Sequence, residues 1–273
     1  MVLPARKLSD LRKRLGRFLT EKACGRDEVH RFLALLEPVG EVAILGGMIR
    51  DVALAGIEGF NSDIDLVIEM VEPLAENDQF ETVLGEYGLT HKAEKNKFGG
   101  YRICLDKWKL DIWRAQDTWA IKQGLVQYNG LESLCRTTFF NWDAVLFSLG
   151  NGKLYMPEDY MQTINARFLD FNLLKCPNVI SNIIKSLRYR EKYDANFSPR
   201  LAKYVSDVVQ HHSEADIYQR DLESHDHRVI TLEDISKIYH SLEKHSKTNS
   251  LFTMASEEVQ PRLWSDGEHS RLS

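Results

Sequence analysis

The stretch that most constrains the fold of this chain runs from Val42 to Glu69, with the sequence VAILGGMIRDVALAGIEGFNSDIDLVIE. An apolar run ending in a double glycine predicts a strand followed by a tight turn, and the residues behind the glycines have the spacing of a short helix. A second apolar run follows Asp63-Ile64-Asp65 and predicts another strand. The stretch therefore predicts a strand–helix–strand unit with polar residues at its junctions.

Two carboxylates mark the start of the second strand. Side chains two residues apart in a strand point to the same face, so Asp63 and Asp65 are expected side by side. Their mutual repulsion favours bound cations, and a pair of hard divalent ions with oxygen ligands is also the apparatus of phosphoryl transfer. Asp111, in a later predicted strand, supplies a third carboxylate. These three residues are the predicted catalytic and metal-binding set.

The double glycine, Gly46 and Gly47, precedes the predicted helix. Glycines allow the backbone to approach a ligand closely, and the N-terminus of a helix offers N–H groups to a phosphate. The spacing matches neither a Walker loop nor a GxGxxG motif, which excludes a P-loop or a dinucleotide-binding interpretation. The alternative to a phosphate-binding turn is a turn with a purely structural role.

Size and composition are those of an ordinary globular protein, with 273 residues and 43% hydrophobic residues. No apolar run has the length of a membrane span, and the N-terminus lacks the apolar core of a signal peptide, so we expect a cytoplasmic protein without a membrane partner. The formal net charge of −5 argues against a surface coated for nucleic acid. The four cysteines form no CxxC pair and are expected to be buried, reduced thiols.

Apolar periodicity predicts an α+β fold, in which helices flank a small mixed or antiparallel sheet and a mainly helical region follows. The predicted domains are a head over 1–150, a mainly helical region over 151–245 and a polar tail over 246–273. The predicted elements are two helices within 8–37, strand Val42–Leu45, helix Met48–Ala55, strand Asp63–Glu69, helix Phe80–Tyr87, strands Thr90–Lys97, Gly100–Leu105 and Lys109–Trp113, a helix from Thr138, and helices within Val179–Val209 and Leu232–His245.

The segments GGMIRDVALAG and DID occur in an order that resembles the head domain of class II poly(A) polymerases and CCA-adding tRNA nucleotidyltransferases, in the polymerase β superfamily. In that family, Asp-x-Asp follows a double glycine, a hydrophobic residue, Arg-Asp and a helix that ends in glycine. The resemblance implies a nucleotidyltransferase head that uses Mg²⁺ and an NTP. It also implies that Gly46, Gly47, Arg50 and Asp51 belong to the nucleotide-binding site.

The resemblance continues downstream in three shorter segments. KLDIWRAQD resembles the family's strand with a third carboxylate followed by an arginine, which implies Asp111 as that carboxylate and Arg114 as its companion. TTFFNWDAV takes the place of the family's RRDFTINAL and places Asp143 in the implied nucleotide site. NIIKSLRYREKYDANFSP resembles the arginine-rich neck helix and implies that Lys185 and Arg188 contact the acceptor.

The chain also departs from the family pattern. Thr137, Thr138 and Phe139 replace the Arg-Arg-Asp that helps to hold the incoming nucleotide. The Glu-Asp-x-x-Arg motif by which CCA-adding enzymes select CTP and ATP is not visible, and we expect the tRNA-gripping body and tail to be missing or shortened. These departures bear on the choice of nucleotide and acceptor, and they leave the predicted carboxylates unaffected.

The sequence thus predicts a Mg²⁺-dependent nucleotidyltransferase that moves a nucleoside monophosphate from an NTP to an acceptor hydroxyl and releases pyrophosphate. An RNA 3′ end, of a tRNA in particular, is the acceptor that the resemblance implies. Two alternatives stay open. The acceptor could be a protein or a small molecule, or the chain could be a noncatalytic module that binds a nucleotide or a partner.

Overall fold

The computed structural model describes residues 3–60, 62–70, 79–90, 92–96 and 99–224. The chain divides into two compact units, Met1–Cys176 and Pro177–Ser273. This division lies later than residue 150, and the assignment of head, helical region and tail stays a prediction. The predicted acidic loop at 72–78, helix Leu232–His245 and the tail from 246 lie outside the described residues.

The first unit combines helices with one mixed sheet. Its elements are α1 (Leu8–Thr20), α2 (Arg26–Leu36), β1 (Gly40–Leu45), α3 (Gly47–Ala55), β2 (Ile64–Met70), α4 (Gln79–Thr90), β3 (Lys92–Lys95), β4 (Tyr101–Cys104), β5 (Lys109–Arg114), α5 (Trp119–Lys122), β6 (Leu146–Ser148), β7 (Leu154–Tyr155), α6 (Tyr160–Asn165) and β8 (Phe168–Leu169). The α+β prediction is confirmed.

Within the described residues, the sheet has seven strands in the order β3-β4-β5-β2-β1-β6-β7. β2 and β5 are parallel, and the other neighbouring strands are antiparallel. The central strands β1 and β2 have buried, apolar side chains on most positions, as expected for strands whose two faces are both covered. The predicted strand–helix–strand unit therefore forms the middle of the sheet, with α3 connecting two antiparallel neighbours.

Helices α1 and α3 are fastened to each other by an arginine. The apolar side chains of α1 that are spaced at helical intervals, Leu11, Leu15 and Phe18, are completely buried. On the same helix, Arg14 donates from Nη1 to the carbonyls of Val52, at 3.0 Å, and of Ala53, at 3.3 Å. These carbonyls belong to the last turn of α3, where a cation also complements the helix dipole. The position of α3 is thus fixed from its C-terminal end.

The helix predicted from Thr138 onward is wrong. Residues Asn141–Asp143 form one 3₁₀ turn, and Leu146–Ser148 is strand β6, paired with β1. The apolar residues of this segment are buried on several sides as the chain crosses the core, so their spacing does not report the period of one helix face. The local structure is instead decided by the pairing of β6 with β1, two strands that are far apart in the sequence.

The described part of the second unit, residues 177–224, is mainly helical. It contains α7 (Val179–Tyr193), the short strand β9 (Asn196–Phe197), α8 (Pro199–Gln210) and α9 (Glu214–Ser224). The Ser198-Pro199 start signal is confirmed, because the Ser198 hydroxyl accepts a 3.1 Å hydrogen bond from the N–H of Leu201. Helices α7 and α8 cover the predicted helical interval Val179–Val209.

Two further expectations can be compared with the described residues. None of the described helices has both the length and the apolar content needed to cross a membrane. All four cysteines are free thiols, of which Cys135 is buried. The expectation of burial is wrong for Cys24, which is exposed because it lies in the tight turn between α1 and α2.

Candidate active site

Three predicted carboxylates lie in the same region of the sheet. Asp65 in β2 and Asp111 in β5 are direct partners in the parallel pair, so their side chains point to the same face of strands about 4.8 Å apart. Asp63 lies directly before β2, two residues from Asp65. The strand pairing between β2 and β5 therefore brings together residues that are far apart in sequence.

An arginine that the sequence analysis missed, Arg102, connects two of these carboxylates. It lies in β4, opposite Asp111 in the antiparallel β4–β5 pair. Its guanidinium binds Asp111 with two hydrogen bonds, Nε to Oδ1 at 2.8 Å and Nη2 to Oδ2 at 2.6 Å, and Nη2 also donates to Asp63 Oδ2 at 3.1 Å. The hydrogen bonds to Asp111 raise the pKa of Arg102, so this side chain remains a cation.

A signal for Arg102 exists in the sequence. The hairpin between β4 and β5 turns at Asp106 and Lys107, closed by a 2.8 Å hydrogen bond from Leu105 N to Trp108 O. Counting outward from that turn places Arg102 opposite Asp111. Both strands are predicted from the sequence, and the position of this turn determines their register.

The double glycine forms the turn between β1 and α3. Gly46 has φ +65° and ψ −102°, a conformation that side-chain-bearing residues rarely adopt, and it is the residue before the first turn of α3. An ideal Cβ on Gly47 would lie 3.8 Å from Asp65 Oδ2 and 3.6 Å from Arg50 Nη2. The glycine turn and the N-terminus of α3 thus adjoin the carboxylate group.

Arg50 is buried and held between two carboxylates. Its Nε and Nη2 each lie 2.8 Å from Asp51 Oδ1, and its Nη1 forms a short ion pair with Asp143 Oδ1. All three side chains are at most 6% exposed. This geometry is that of a brace, in which Arg50 connects the first turn of α3 to Asp143.

Asp143 reaches Arg50 because a rigid turn presents it. The 3₁₀ turn Asn141–Asp143 is tied to β8 by a 2.8 Å hydrogen bond from Trp142 Nε1 to Phe168 O, and Tyr160 donates to the carbonyl of Trp142 at 3.0 Å. Trp142 itself is completely buried. The glycine turn packs on the same residue, since a Cβ on Gly46 would lie 3.2 Å from the backbone oxygen of Asp143.

The carboxylates can be compared with the needs of a magnesium site. Within the described part of the chain, no three His, Cys, Asp or Glu side chains converge closely enough to hold a metal ion. The guanidinium of Arg102 bonds to both Asp63 and Asp111, which are two of the three side chains that would hold such an ion. The donor set fits a hard divalent ion, since all three groups are carboxylates. The side chain of Arg102 is 46% exposed and can turn toward solvent.

Arg114 lies away from its implied companion, Asp111. The two residues are three positions apart in β5, which puts their side chains on opposite faces of the sheet. Arg114 instead stacks over the ring of Phe80, 5.0 Å from its centroid, and lies 3.7 Å from Glu81 Oε1. The structure therefore places Arg114 with helix α4, not with the carboxylates.

The segment that replaces the family's Arg-Arg-Asp is packed into the protein. The ring of Phe139 contacts those of Phe140 and Phe171 edge to face, at centroid distances of 4.8 and 5.3 Å. The hydroxyl of Thr138 accepts a 3.0 Å hydrogen bond from the amide of Asn172. This segment has aromatic packing and neutral polar contacts where the family has two guanidinium groups and a carboxylate.

The two implied acceptor residues lie on α7 in the second unit. Arg188 forms a short ion pair with Asp221 of α9, whose side chain is 2% exposed. Lys185 lies one turn earlier, with Nζ 5.7 Å from the ring centroid of Tyr189. Arg188 thus connects two helices, and its implied contact with an acceptor stays a prediction.

Structural comparison shows which fold this geometry belongs to. The chain is similar to the Thermotoga maritima CCA-adding enzyme complexed with tRNA, at a TM-score of 0.55 and 17% identity over 84% of this chain and 54% of that one. It is similar to a CCA-adding enzyme in complex with ATP, at a TM-score of 0.54 and 16% identity over 83% and 53%. It is also similar to a tRNA nucleotidyltransferase complexed with a primer tRNA and an ATP analogue, at a TM-score of 0.50 and 17% identity over 75% of this chain and 58% of that one.

These comparisons confirm, at the level of the fold, the resemblance predicted from the sequence. The chain spans little more than half the length of these structures. No protein-family model matches its sequence, and no curated protein matches it either.

Proposed function

We propose that this chain is a Mg²⁺-dependent nucleotidyltransferase. The observation that carries the proposal is the meeting of the glycine turn at Gly47 with Asp65, whose strand partner is Asp111. A phosphate-binding turn next to paired carboxylates is what transfer of a nucleotidyl group requires. The fold, shared with solved CCA-adding enzymes, supports the same reaction class.

Each residue of the site has a role in this proposal. The backbone of Gly46 and Gly47 and the first turn of α3 would receive the β and γ phosphates. Asp63, Asp65 and Asp111 would hold the metal, which when bound supplies neutralisation of the triphosphate and a lower pKa for the attacking hydroxyl. Asp111 would accept the proton of that hydroxyl. The acceptor oxygen attacks the α-phosphorus, and the bond to the leaving pyrophosphate breaks.

Three further residues hold this arrangement in place. Arg50 bonds to Asp51 within α3 and to Asp143 in the 3₁₀ turn Asn141–Asp143. It therefore fixes the first turn of α3 against that 3₁₀ turn. Its burial keeps the glycine turn in one conformation, ready for the phosphates. Preorganised groups of this kind lose little freedom when the substrate binds.

For the acceptor we propose an RNA 3′ end, of a tRNA in particular. The support is the likeness in fold to proteins that were solved with tRNA. Lys185 and Arg188 on α7 would contribute positive charge toward the phosphate backbone. A protein or a small molecule carrying a hydroxyl group is the alternative acceptor.

A noncatalytic nucleotide-binding head is the second candidate function, and two observations favour it. Arg102 bonds to two of the three carboxylates from within the protein, and its positive charge offsets part of their repulsion without a metal. In addition, neutral residues replace the family's Arg-Arg-Asp at Thr137, Thr138 and Phe139.

One labelling experiment tests these possibilities. The protein is incubated with Mg²⁺ and each α-³²P-labelled NTP in turn, together with total cell RNA or a cell lysate, and pyrophosphate release is measured in parallel. We expect label in RNA of tRNA size from the wild type and from a control, Asp27→Ala, which removes an exposed helix carboxylate. The double variant Asp63→Ala with Asp65→Ala should transfer nothing.

The other outcomes identify the alternatives. Label in a protein band or in a small molecule would replace RNA as the acceptor. Nucleotide binding without pyrophosphate release from any NTP would favour the noncatalytic head. Full activity of the Asp63 and Asp65 double variant would show that these carboxylates are not the catalytic set.

A further inference from the structure

Charged side chains form a row across four neighbouring strands of the sheet. Glu94 in β3 is opposite Arg102 in β4, Arg102 is opposite Asp111 in β5, and Asp111 is opposite Asp65 in β2. Strand partners point to the same face, so Arg102 is the positive member of a row of acids. The position of Arg102 is set by the register of the hairpin, and its guanidinium is directed at the predicted metal ligands.

The contacts of Arg102 take up oxygens that a metal would need. The guanidinium forms a two-bond fork with both oxygens of Asp111, and its Nη2 is shared with Asp63 Oδ2 at 3.1 Å. A divalent ion bound to the same carboxylates would compete with these hydrogen bonds for oxygen lone pairs and for negative charge. Arg102 and a metal ion therefore cannot both have their full set of contacts with Asp63 and Asp111.

The competition can be reversed, because Arg102 is not locked in place. Its side chain is 46% exposed, compared with 6% for Arg50, so it can move without opening the core. If a triphosphate is bound nearby, a guanidinium that leaves the carboxylates can bind the phosphate oxygens instead. Its planar fork suits phosphate oxygens as well as carboxylate oxygens.

We propose that Arg102 is a specificity-determining residue that binds Asp63 and Asp111 in the free protein and exchanges them for the triphosphate when a metal–nucleotide complex enters. This inference rests on the proposed nucleotidyltransferase function and adds a rule to it, namely that free metal binds poorly and metal with nucleotide binds well. By thermodynamic reciprocity, the nucleotide then increases metal affinity by the same factor as the metal increases nucleotide affinity.

The test measures metal binding without turnover. Mn²⁺ is titrated into the protein and followed by the EPR signal of the free ion, with and without an NTP analogue that cannot be hydrolysed between its α and β phosphates. The variants are Arg102→Ala, Arg102→Lys and a control, Arg31→Ala. The control removes the same charge from an exposed pair, in which Arg31 bonds to Asp27 on α2. Thermal melting checks that each variant is folded.

We expect Arg102→Ala to bind free Mn²⁺ about tenfold more tightly than the wild type, a factor that corresponds to about 1.4 kcal/mol. The increase in Mn²⁺ affinity caused by the analogue should shrink by at least the same factor. Arg102→Lys should lie between the two, because an ammonium group cannot form the two-bond fork. Arg31→Ala should behave as the wild type does.

Equal or weaker binding of free Mn²⁺ by Arg102→Ala would overturn the inference. If the wild type still transfers labelled nucleotide in that case, the proposed function stands and the role of Arg102 alone is wrong. If neither protein binds Mn²⁺ with the analogue and no NTP yields pyrophosphate, both the inference and the proposed function fail.

Discussion

Replacement of Arg50 by methionine is expected to destabilise the first unit strongly. The change removes a guanidinium that bonds to Asp51 and Asp143, and both carboxylates are at most 6% exposed. Methionine keeps much of the length and apolar volume of the side chain, so the main effect is the loss of charge and hydrogen bonds. Two buried carboxylates would be left without their shared cation.

The size of the effect follows from this burial. Breaking a buried ion pair by removing one partner costs about 3–5 kcal/mol, mainly because the remaining charge stays desolvated. A domain has about 5–15 kcal/mol of total stability, so the loss would consume a large part of it. Arg50→Lys keeps the charge but loses the fork that reaches both acids, and should be destabilised less.

Urea unfolding followed by tryptophan fluorescence measures this change. Four of the five tryptophans, Trp108, Trp113, Trp119 and Trp142, precede residue 150, so the signal reports mainly on the first unit. A triple variant that combines Arg50→Met with Asp51→Asn and Asp143→Asn should recover part of the lost stability, because neutral amides cost less to bury than charged carboxylates.

The reasoning is refuted if Arg50→Met lies within about 1 kcal/mol of the wild type, which is the range of exposed ion pairs. It is also refuted if the triple variant is no more stable than Arg50→Met, because the penalty would then not come from the buried carboxylates.

Two further predictions concern the glycine turn and the cysteines. Gly46→Ala should lower the free energy of unfolding by about 1–3 kcal/mol in the same urea assay, because Gly46 has φ +65° and a Cβ would lie 3.2 Å from a backbone oxygen. Gly47→Ala should fold normally, since its Cβ would meet nothing nearer than 3.6 Å. Iodoacetamide at pH 8 should label exposed Cys24 rapidly and Cys135 slowly, because burial raises the pKa of Cys135 to about 12; equal rates, read by mass spectrometry, would contradict this.

Local pattern was enough to predict the centre of the fold. The strand, double glycine, helix and Asp-x-Asp strand are found as β1, α3 and β2, with bounds within two residues of those predicted. Each of these elements follows from spacing and turn chemistry inside one short stretch, and the same stretch carries the resemblance. The pair of Asp65 with Asp111 depends in addition on which strands are neighbours. The strand pattern and the resemblance both indicate Asp111 as the third carboxylate, and the parallel pairing of β2 with β5 is seen only in the structure.

Contacts across long intervals of sequence could not be predicted in the same way. Asp143 is 93 residues from Arg50, and no period within TTFFNWDAV indicates that it ends in a 3₁₀ turn beside the glycines. The helix expected there failed because strand pairing with β1 outweighs local spacing. Arg114 was placed with Asp111 by analogy, although their three-residue separation in a strand already puts them on opposite faces.

The site thus contains two arginines that differ in exposure, and we expect their replacement to have different effects. Arg50 is buried between two acids, so its loss should appear as lost stability. In the proposed function, the backbone of the glycine turn would therefore receive the phosphates in place of Arg50. Arg102 binds two acids at a half-exposed position, so its ion pairs are worth about 0–1 kcal/mol to folding and can be exchanged. A stability loss above about 2 kcal/mol in Arg102→Ala would place it with Arg50 as a structural brace.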